Sequence, residues 1–479
     1  MMFADKQIVM SDHPTNYRWW ALVLISSGVF LSVIDIFIVN VAIPSIKAGI
    51  HGTDGDSQLF IALYLIGYAS FLITGGRMGD HFGRKKVFIT AMLLFTTASV
   101  FCGISQTPLQ LITARFIQGI GAAFMVPQGI ALIQILFPEH TVRVKALGIY
   151  GSIAGTASVI GMFLGGLLPD VAFIVPGWRL IFLINLPVGV FAVALSAKFL
   201  KESELIRSVK FDYSGIFILT VSLITLTYPL IRGRELGWPL WSILLILGAF
   251  LMMWLFIKDQ KRKLASGNEP LINVALFSYR DFNIGLLAVF FYYMVQESYF
   301  FVNTVLLQTG MGIGSSRTGI FFACQGIGYV VASLLSIHLV GIFGKKVLQL
   351  GIVIMIIALV FHILVLENSP VNQLILMAVL FCYGLGCGSV LPSLLTITLR
   401  NIPTRFAGAA SGTYSTVQQT AIAIGVGVVV GLFFNEISSD KTLFNYLHAY
   451  RIATSCNIIF LTVVAFFLWL MPKEKQINN

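Results

Sequence analysis

Three ionisable side chains stand in stretches that should exclude them. Asp35 interrupts "LSVIDIFIVNVAIP", Arg115 sits in "LITARFIQGIGAA", and Glu297 lies among aromatics in "VFFYYMVQESYFFVN". A charge at the centre of a bilayer costs about 2.5–3.5 kcal/mol even on the mildest insertion scale, so such residues are kept where they pair, titrate or meet a ligand. Two carboxylates and a guanidinium in an apolar setting can hold a proton, hold a cation, or exchange one for the other. Asp35 and Arg115 fall at similar depth in their spans and can share one layer, Gln118 shares the helical face of Arg115, and all three belong to the expected chamber. Phe290, Tyr293, Met294, Phe300, Phe301 and Thr304 lie on or near the face of Glu297. Aromatic rings attract cations and methionine adapts to varied shapes, which makes Tyr293, Met294, Phe300 and Phe301 candidate substrate contacts.

The elements that must position these residues are membrane spans. Of 479 residues, 57% are hydrophobic and 11% charged, against about 25% charged in a soluble chain. Fourteen apolar runs, the first over 19–43 and the last over 449–471, are each about 20 residues long and so can cross the hydrocarbon as helices. They show no strand-like alternation, which excludes a β-barrel. The net charge of +11 reads as topology: with both termini cytoplasmic, about 23 Lys/Arg fall inside and about 7 outside. Basic clusters such as "RKK" (84–86) and "KDQKRK" (258–263) then meet anionic lipid headgroups, and no nucleic acid is needed to explain them.

The N-terminal stretch is polar for about 18 residues and lacks the features of a cleaved signal. The five cysteines all fall in spans, without disulfide or zinc spacing, and read as packing residues. His338 and His362 lie near span ends and read as interfacial. No GxxxxGK[ST], HExxH or GxSxG is present, so nothing implies a nucleotide, a cofactor, a metal or a hydrolytic centre.

Charged connections divide the chain into residues 1–200, a six-span bundle; 201–281, a linker with two additional spans; and 282–479, a second six-span bundle. The outer sixes repeat each other. "FGRKKV" at 82–87 returns as "FGKKV" at 343–347, and "GIGAAFMVP" at 119–127 as "GLGCGSVLP" at 384–392. Such repeats mark transporters that bind near the membrane midplane, between two bundles. An offset of 262 places Glu297 on Asp35, so each bundle's first helix is expected to carry one acid at the same depth.

With "GGRMGDHFGRKK" (75–86), "LITARFIQGIGAA" (111–123), "IDIFIVNVAIP" (34–44) and "GWRLIFLINLPVG" (177–189) in order, the chain resembles the major facilitator superfamily over its whole length, and most closely the fourteen-span drug:proton antiporters. The resemblance implies an all-α fold of two six-helix bundles plus two extra helices, in the cytoplasmic membrane. It implies an inner gate at Gly76, Asp80, Gly83 and Arg84, a coupling role for Arg115 with Asp35 and Glu297, and helix packing through Gly119, Gly161, Gly165 and Gly166. In the antiporter motif Ala157 stands where the family has glycine and Met162 where it has proline, which bears on the direction of transport.

The expected activity is proton-coupled efflux of lipophilic, cationic or amphipathic compounds, with small molecules, protons and membrane lipids as partners. The external connections are too short for a large receptor domain and leave an accessory export partner open and unsupported. A proton- or sodium-coupled importer or exporter of one metabolite shares the same fold and motifs. A lipid-modifying membrane enzyme is the remote alternative, and it would require a cluster of chemistry at headgroup depth.

Overall fold

The computed structural model describes residues 15–171, 175–202, 211–367, 371–403, 406–437 and 442–471. The polar N-terminal stretch and most of the first charged connection lie outside them. Among the described residues the secondary structure is helical, with fourteen helices long and apolar enough to cross a membrane.

The first bundle contains α1 (Thr15–Gly49), α2 (Asp54–Phe82), α3 (Arg84–Ile104), α4 (Pro108–Leu136), α5 (His140–Leu167), α6 (Gly177–Leu183) and α7 (Asn185–Phe199). A hairpin follows, α8 (Tyr213–Glu235) and α9 (Leu240–Ala265). The second bundle contains α10 (Arg280–Val305), α11 (Ser315–Phe343), α12 (Lys346–Glu367), α13 (Gln373–Leu399), α14 (Ala407–Gly425), α15 (Gly431–Glu436) and α16 (Leu443–Leu470). Single π-turns extend α10 over Leu306–Gly310 and join α14 to α15 over Val426–Val430.

Local chemistry sets many of the ends. Thr53 and Asp56 form a reciprocal capping box at the start of α2, and Thr107 with Pro108 opens α4. The sixth span is broken at Ile184, three residues before Pro187, which has no N–H to continue the ladder. The fifth span is unbroken from His140 to Leu167, as expected with Met162 in place of proline.

The repeat is carried in the packing. A Cβ at Gly67 or Gly119 would run into the backbone carbonyls of Phe116 and Tyr64, and one at Gly328 or Gly384 into those of Phe381 and Gln325. The α2–α4 contact of one bundle is thereby rebuilt as α11–α13 in the other, with backbones close enough for dispersion to hold them where lipid offers no hydrophobic drive. The bundles meet along three seams, α5 with α11, α2 with α14, and α1 with α10.

The hairpin packs on α2 and reaches α15 and the second π-turn. At one end Arg232 bonds Asp56 and Thr53, while Glu235 accepts from the Gly55 amide. At the other, Arg77 of α2 bonds the Pro270 carbonyl at 3.2 Å. Asp212 gathers Lys263, Gln260 and the amides of Gly215 and Leu271. Burial pushes its carboxyl up, but those hydrogen bonds outweigh burial and hold it below the usual carboxylate range. A group lowered on folding stabilises fully above its unfolded range, about pH 4, and loses that contribution as pH falls through the lower folded value. Asp212→Ala is therefore expected to melt at a lower temperature than the parent in detergent at pH 7, with the gap narrowing at pH 3, as read by scanning fluorimetry.

Candidate functional site

Asp35 and Arg115 are both almost wholly buried and meet at 2.5 Å inside the first bundle. Gln118 donates to the Asp35 carboxylate at 2.8 Å and Asn185 at 3.1 Å, while Arg115 reaches the Gln118 oxygen at 2.7 Å and the Phe60 carbonyl at 3.2 Å. The guanidinium lies 4.2 Å from the centre of the Tyr64 ring. Two opposite charges stripped of water are tolerable when hydrogen bonds satisfy them, and this knot supplies partners to both carboxylate oxygens and to Nε and Nη1 of the guanidinium.

The glycines of α5 bring that helix onto the knot. Gly161 and Gly165 rest against the Ile34 and Ile38 carbonyls of α1, on either side of Asp35, and Gly119 lies on Tyr64. Asn185 enters at the first residue after the break in the sixth span.

Between the bundles lies a cavity of about 390 Å³. Its wall is aromatic and amide-rich, and Glu297 is the one Asp, Glu, Lys or Arg on it among the described residues. The carboxylate Oε2 accepts a hydrogen bond from the side-chain amide of Asn40, which belongs to the opposite bundle. Gln296 and Gln419 also line the cavity, and each has a buried side-chain oxygen without a partner. Toward the Gly49 end of α1 the bundles are shut. Gly166 packs on Ser315 and Gly319, Asp170 accepts from Ser316, and Gln308 donates to the Val41 carbonyl at 2.7 Å. In the half of α5 nearer His140, Gly148 and Gly151 face open space, and Gly151 is on the cavity wall.

The expected single acidic chamber divides in two. Asp35, Arg115 and Gln118 form the knot and are absent from the cavity wall. They lie behind Ser32, a wall residue 3.4 Å from the Tyr64 hydroxyl. Tyr293 and Phe300 line the cavity as expected, whereas Met294 and Phe301 do not. Phe301 instead packs edge-on against Phe434 at 5.9 Å.

The acids also fail to match across the repeat, and the reason is one residue of register. Asn40 corresponds to Asn303, an offset of 263, which places Ser298 on Asp35. The contacts agree: Ser298 bonds Asn457 of α16 at 3.2 Å as Asp35 bonds Asn185 of α7. Glu297 is one residue earlier, about 100° round the helix, and faces the cavity instead of its own bundle. Aligning the shared Val-Asn of "IVN" and "FVN" (38–40 and 301–303) would have shown this.

At the gate loop Arg84 binds Asp80 at 2.7 Å and the Ala131 carbonyl at 3.0 Å, and Gly83 holds φ +98°, a conformation that favours glycine. Gly76 has nothing nearer than Pro127 at 3.9 Å, so close approach belongs to its neighbours Gly75 and Gly79. Glu202, unremarked in the sequence, caps the start of α3 by accepting from the Lys85 and Lys86 amides. His362 is not interfacial: it is fully buried, 3.4 Å from the Tyr299 hydroxyl and 2.9 Å from the Ala358 carbonyl. The side chain of His338 lies outside the described residues. All five cysteines are free, and among the described residues no cluster of His, Cys, Asp or Glu could hold a metal.

Two repeated bundles around a central cavity that carries a single charge define a secondary transporter of small molecules, not an enzyme. The Major Facilitator Superfamily profile matches residues 25–256 and 213–426, and the chain belongs to that family. It is 32% identical over 432 residues to the "Probable actinorhodin transporter" of Streptomyces coelicolor, covering 90% of this chain and 75% of that one. The puromycin resistance protein of Streptomyces alboniger is 28% identical, covering 96% of this chain and 92% of its own. Among solved structures, an inward-facing bacterial homologue of the human lysosomal transporter Spinster aligns over 96% of this chain and 98% of its own, with TM-score 0.68 at 15% identity. The D-xylose–proton symporter aligns over 96% and 99%, with TM-score 0.67 at 14% identity. The chain is a multi-pass protein of the bacterial inner membrane, and these relatives are named as antibiotic transport and resistance proteins.

Removing one partner of a buried ion pair costs about 3–5 kcal/mol. Asp35→Ala should accordingly lower the melting temperature in detergent by many degrees, whereas Glu297→Gln, which retains an acceptor for Asn40, should leave it nearly unchanged.

Proposed function

We propose that the chain exports lipophilic cationic or amphipathic compounds in exchange for protons, by alternating access of the central cavity. The observation that carries this reading is the placement of Glu297, a lone carboxylate on an aromatic wall, where a desolvated cation gains both ion pairing and ring contacts. Glu297 is the substrate's counter-charge and a proton site in turn. Asp35 is the coupling residue within the first bundle, with Arg115 and Gln118 setting its orientation and charge.

With the termini cytoplasmic, the open half of the cavity faces the cytoplasm or inner leaflet and the closed Gly49 end faces outward. Substrate enters from within and displaces a proton, the bundles rock, and external protons displace the substrate. Asp80 and Arg84 brace the cytoplasmic end. Membrane lipid is the solvent of the outer helix faces and the reservoir from which amphipathic substrates arrive.

The importer reading rests on Met162 standing where the antiporter motif has proline, in a fifth span that runs unbroken. Net accumulation of substrate by cells, in place of loss, would select it. In inverted vesicles, substrate-evoked proton release is expected to fall at least tenfold in Asp35→Asn and in Glu297→Gln. Full retention in both variants would overturn the assignment.

A further inference from the structure

The carboxylate that faces the cavity is held from the far side of the molecule. Asn40, on α1 of the first bundle, donates to Oε2 of Glu297, on α10 of the second. The bond sits within the closed half of the α1–α10 seam. Phe37 and Phe300 cross the same seam edge-on at 5.5 Å, and Gln308 donates to the Val41 carbonyl one residue beyond Asn40. Asn303, the repeat equivalent of Asn40, instead bonds within its own bundle, to the Tyr299 carbonyl and the Tyr450 hydroxyl. The cross-bundle bond is therefore a departure from the repeat, made at the one position where the cavity carries a charge.

An amide N–H directed at a carboxylate stabilises the ionised form over the protonated one. No other formal charge lies on the cavity wall among the described residues to do so. The other titratable groups on the cavity wall are the hydroxyls of Tyr68 on α2, Tyr292 and Tyr293 on α10, Tyr329 on α11 and Tyr383 on α13, with the Cys387 thiol. Behind them are buried Tyr414 on α14, Tyr450 on α16 and His362 on α12, which is off the wall against Tyr299 and the Ala358 carbonyl. Asp35, on the same helix as Asn40, is committed to Arg115. The amide donor is thus the polar group that most directly favours a cation over a proton at Glu297, and it is present only while α1 and α10 are together.

We propose that Asn40 is the positioning residue that makes the cation–proton preference of Glu297 depend on which end of the transporter is open. With the Gly49 end closed, Asn40 holds Oε2 and favours the ionised form against the protonated one, leaving Oε1 for a substrate cation from the cavity. When the bundles rock and the α1–α10 seam parts, the amide withdraws with its bundle. The carboxylate, still walled by aromatic rings, then exchanges its cation for a proton. Closing the seam restores the amide and returns the proton to the opposite side. This rests on the reading of Glu297 as substrate counter-charge and adds to it the switch that would otherwise be missing.

The test is the pH dependence of tetraphenylphosphonium binding to the purified full-length transporter, followed by isothermal titration from pH 5 to pH 9. The probe's charge does not titrate, so any pH dependence belongs to the protein. Asn40→Leu, or Asn40→Ala if leucine does not fold, is expected to move the pH at which binding fades upward by about one unit. Below that midpoint binding is then about tenfold weaker than in the parent, the size of one charge-assisted hydrogen bond lost. Gln308→Leu, which removes a neighbouring seam bond without touching Glu297, is expected to leave the midpoint in place. An unmoved midpoint in the Asn40 variants overturns the proposal, as does an equal movement in Gln308→Leu. Glu297→Gln is expected to bind weakly at every pH. If it keeps the parent's affinity and profile, it is the underlying reading of Glu297 that fails.

Discussion

A charge inside a bilayer must find its partners within the protein, and the architecture follows from how it does so. Asp35 and Arg115 are neutralised by each other and held by side-chain amides from α4 and α7, and neither lines the central cavity. Glu297 is left with one amide partner and an open side. The first arrangement is rigid because any displacement leaves a charge unpaired in a medium of low dielectric. The second has an unfilled position, and an unfilled position on a carboxylate is what a cation or proton can use.

Much of this was legible in the residues. Fourteen spans and the pairing of Asp35 with Arg115 follow from the energetic cost of polar groups in hydrocarbon, which leaves a strong imprint on sequence. Which face of a helix looks into a cavity leaves a weaker one. Met294 and Phe301 share the apolar, aromatic character of Tyr293 and Phe300, and only the tilt and neighbours of α10 separate wall from core. Asn40 was among several amides with no reason to rank it first, because its partner lies 257 residues away. His362 illustrates the same blindness: its place near a helix end suggested the interface, and packing by α10 and α13 buried it.

Backbone contact through glycine sets how far the parts can move. Within each bundle the α2–α4 and α11–α13 contacts leave no room for a methyl group, so these pairs move as units. Between bundles, Gly166 and Gly319 provide an equally close contact at the closed end. The α8–α9 hairpin is tied to α2 by charged groups at both ends, but meets the second bundle through α8, with the Arg234 guanidinium 5.5 Å from the Phe434 ring. Its firm attachments are thus to one half of the molecule.

The single-residue displacement of Glu297 from the position equivalent to Asp35 shows how cheaply twin halves can diverge. Exchanging the character of two adjacent side chains turns an acid from a helix's packed flank toward its solvent-reachable one, without altering backbone length. One copy can thereby keep its acid in a closed, paired setting while the other presents a carboxylate to a ligand, and the duplicated frame itself needs no rebuilding.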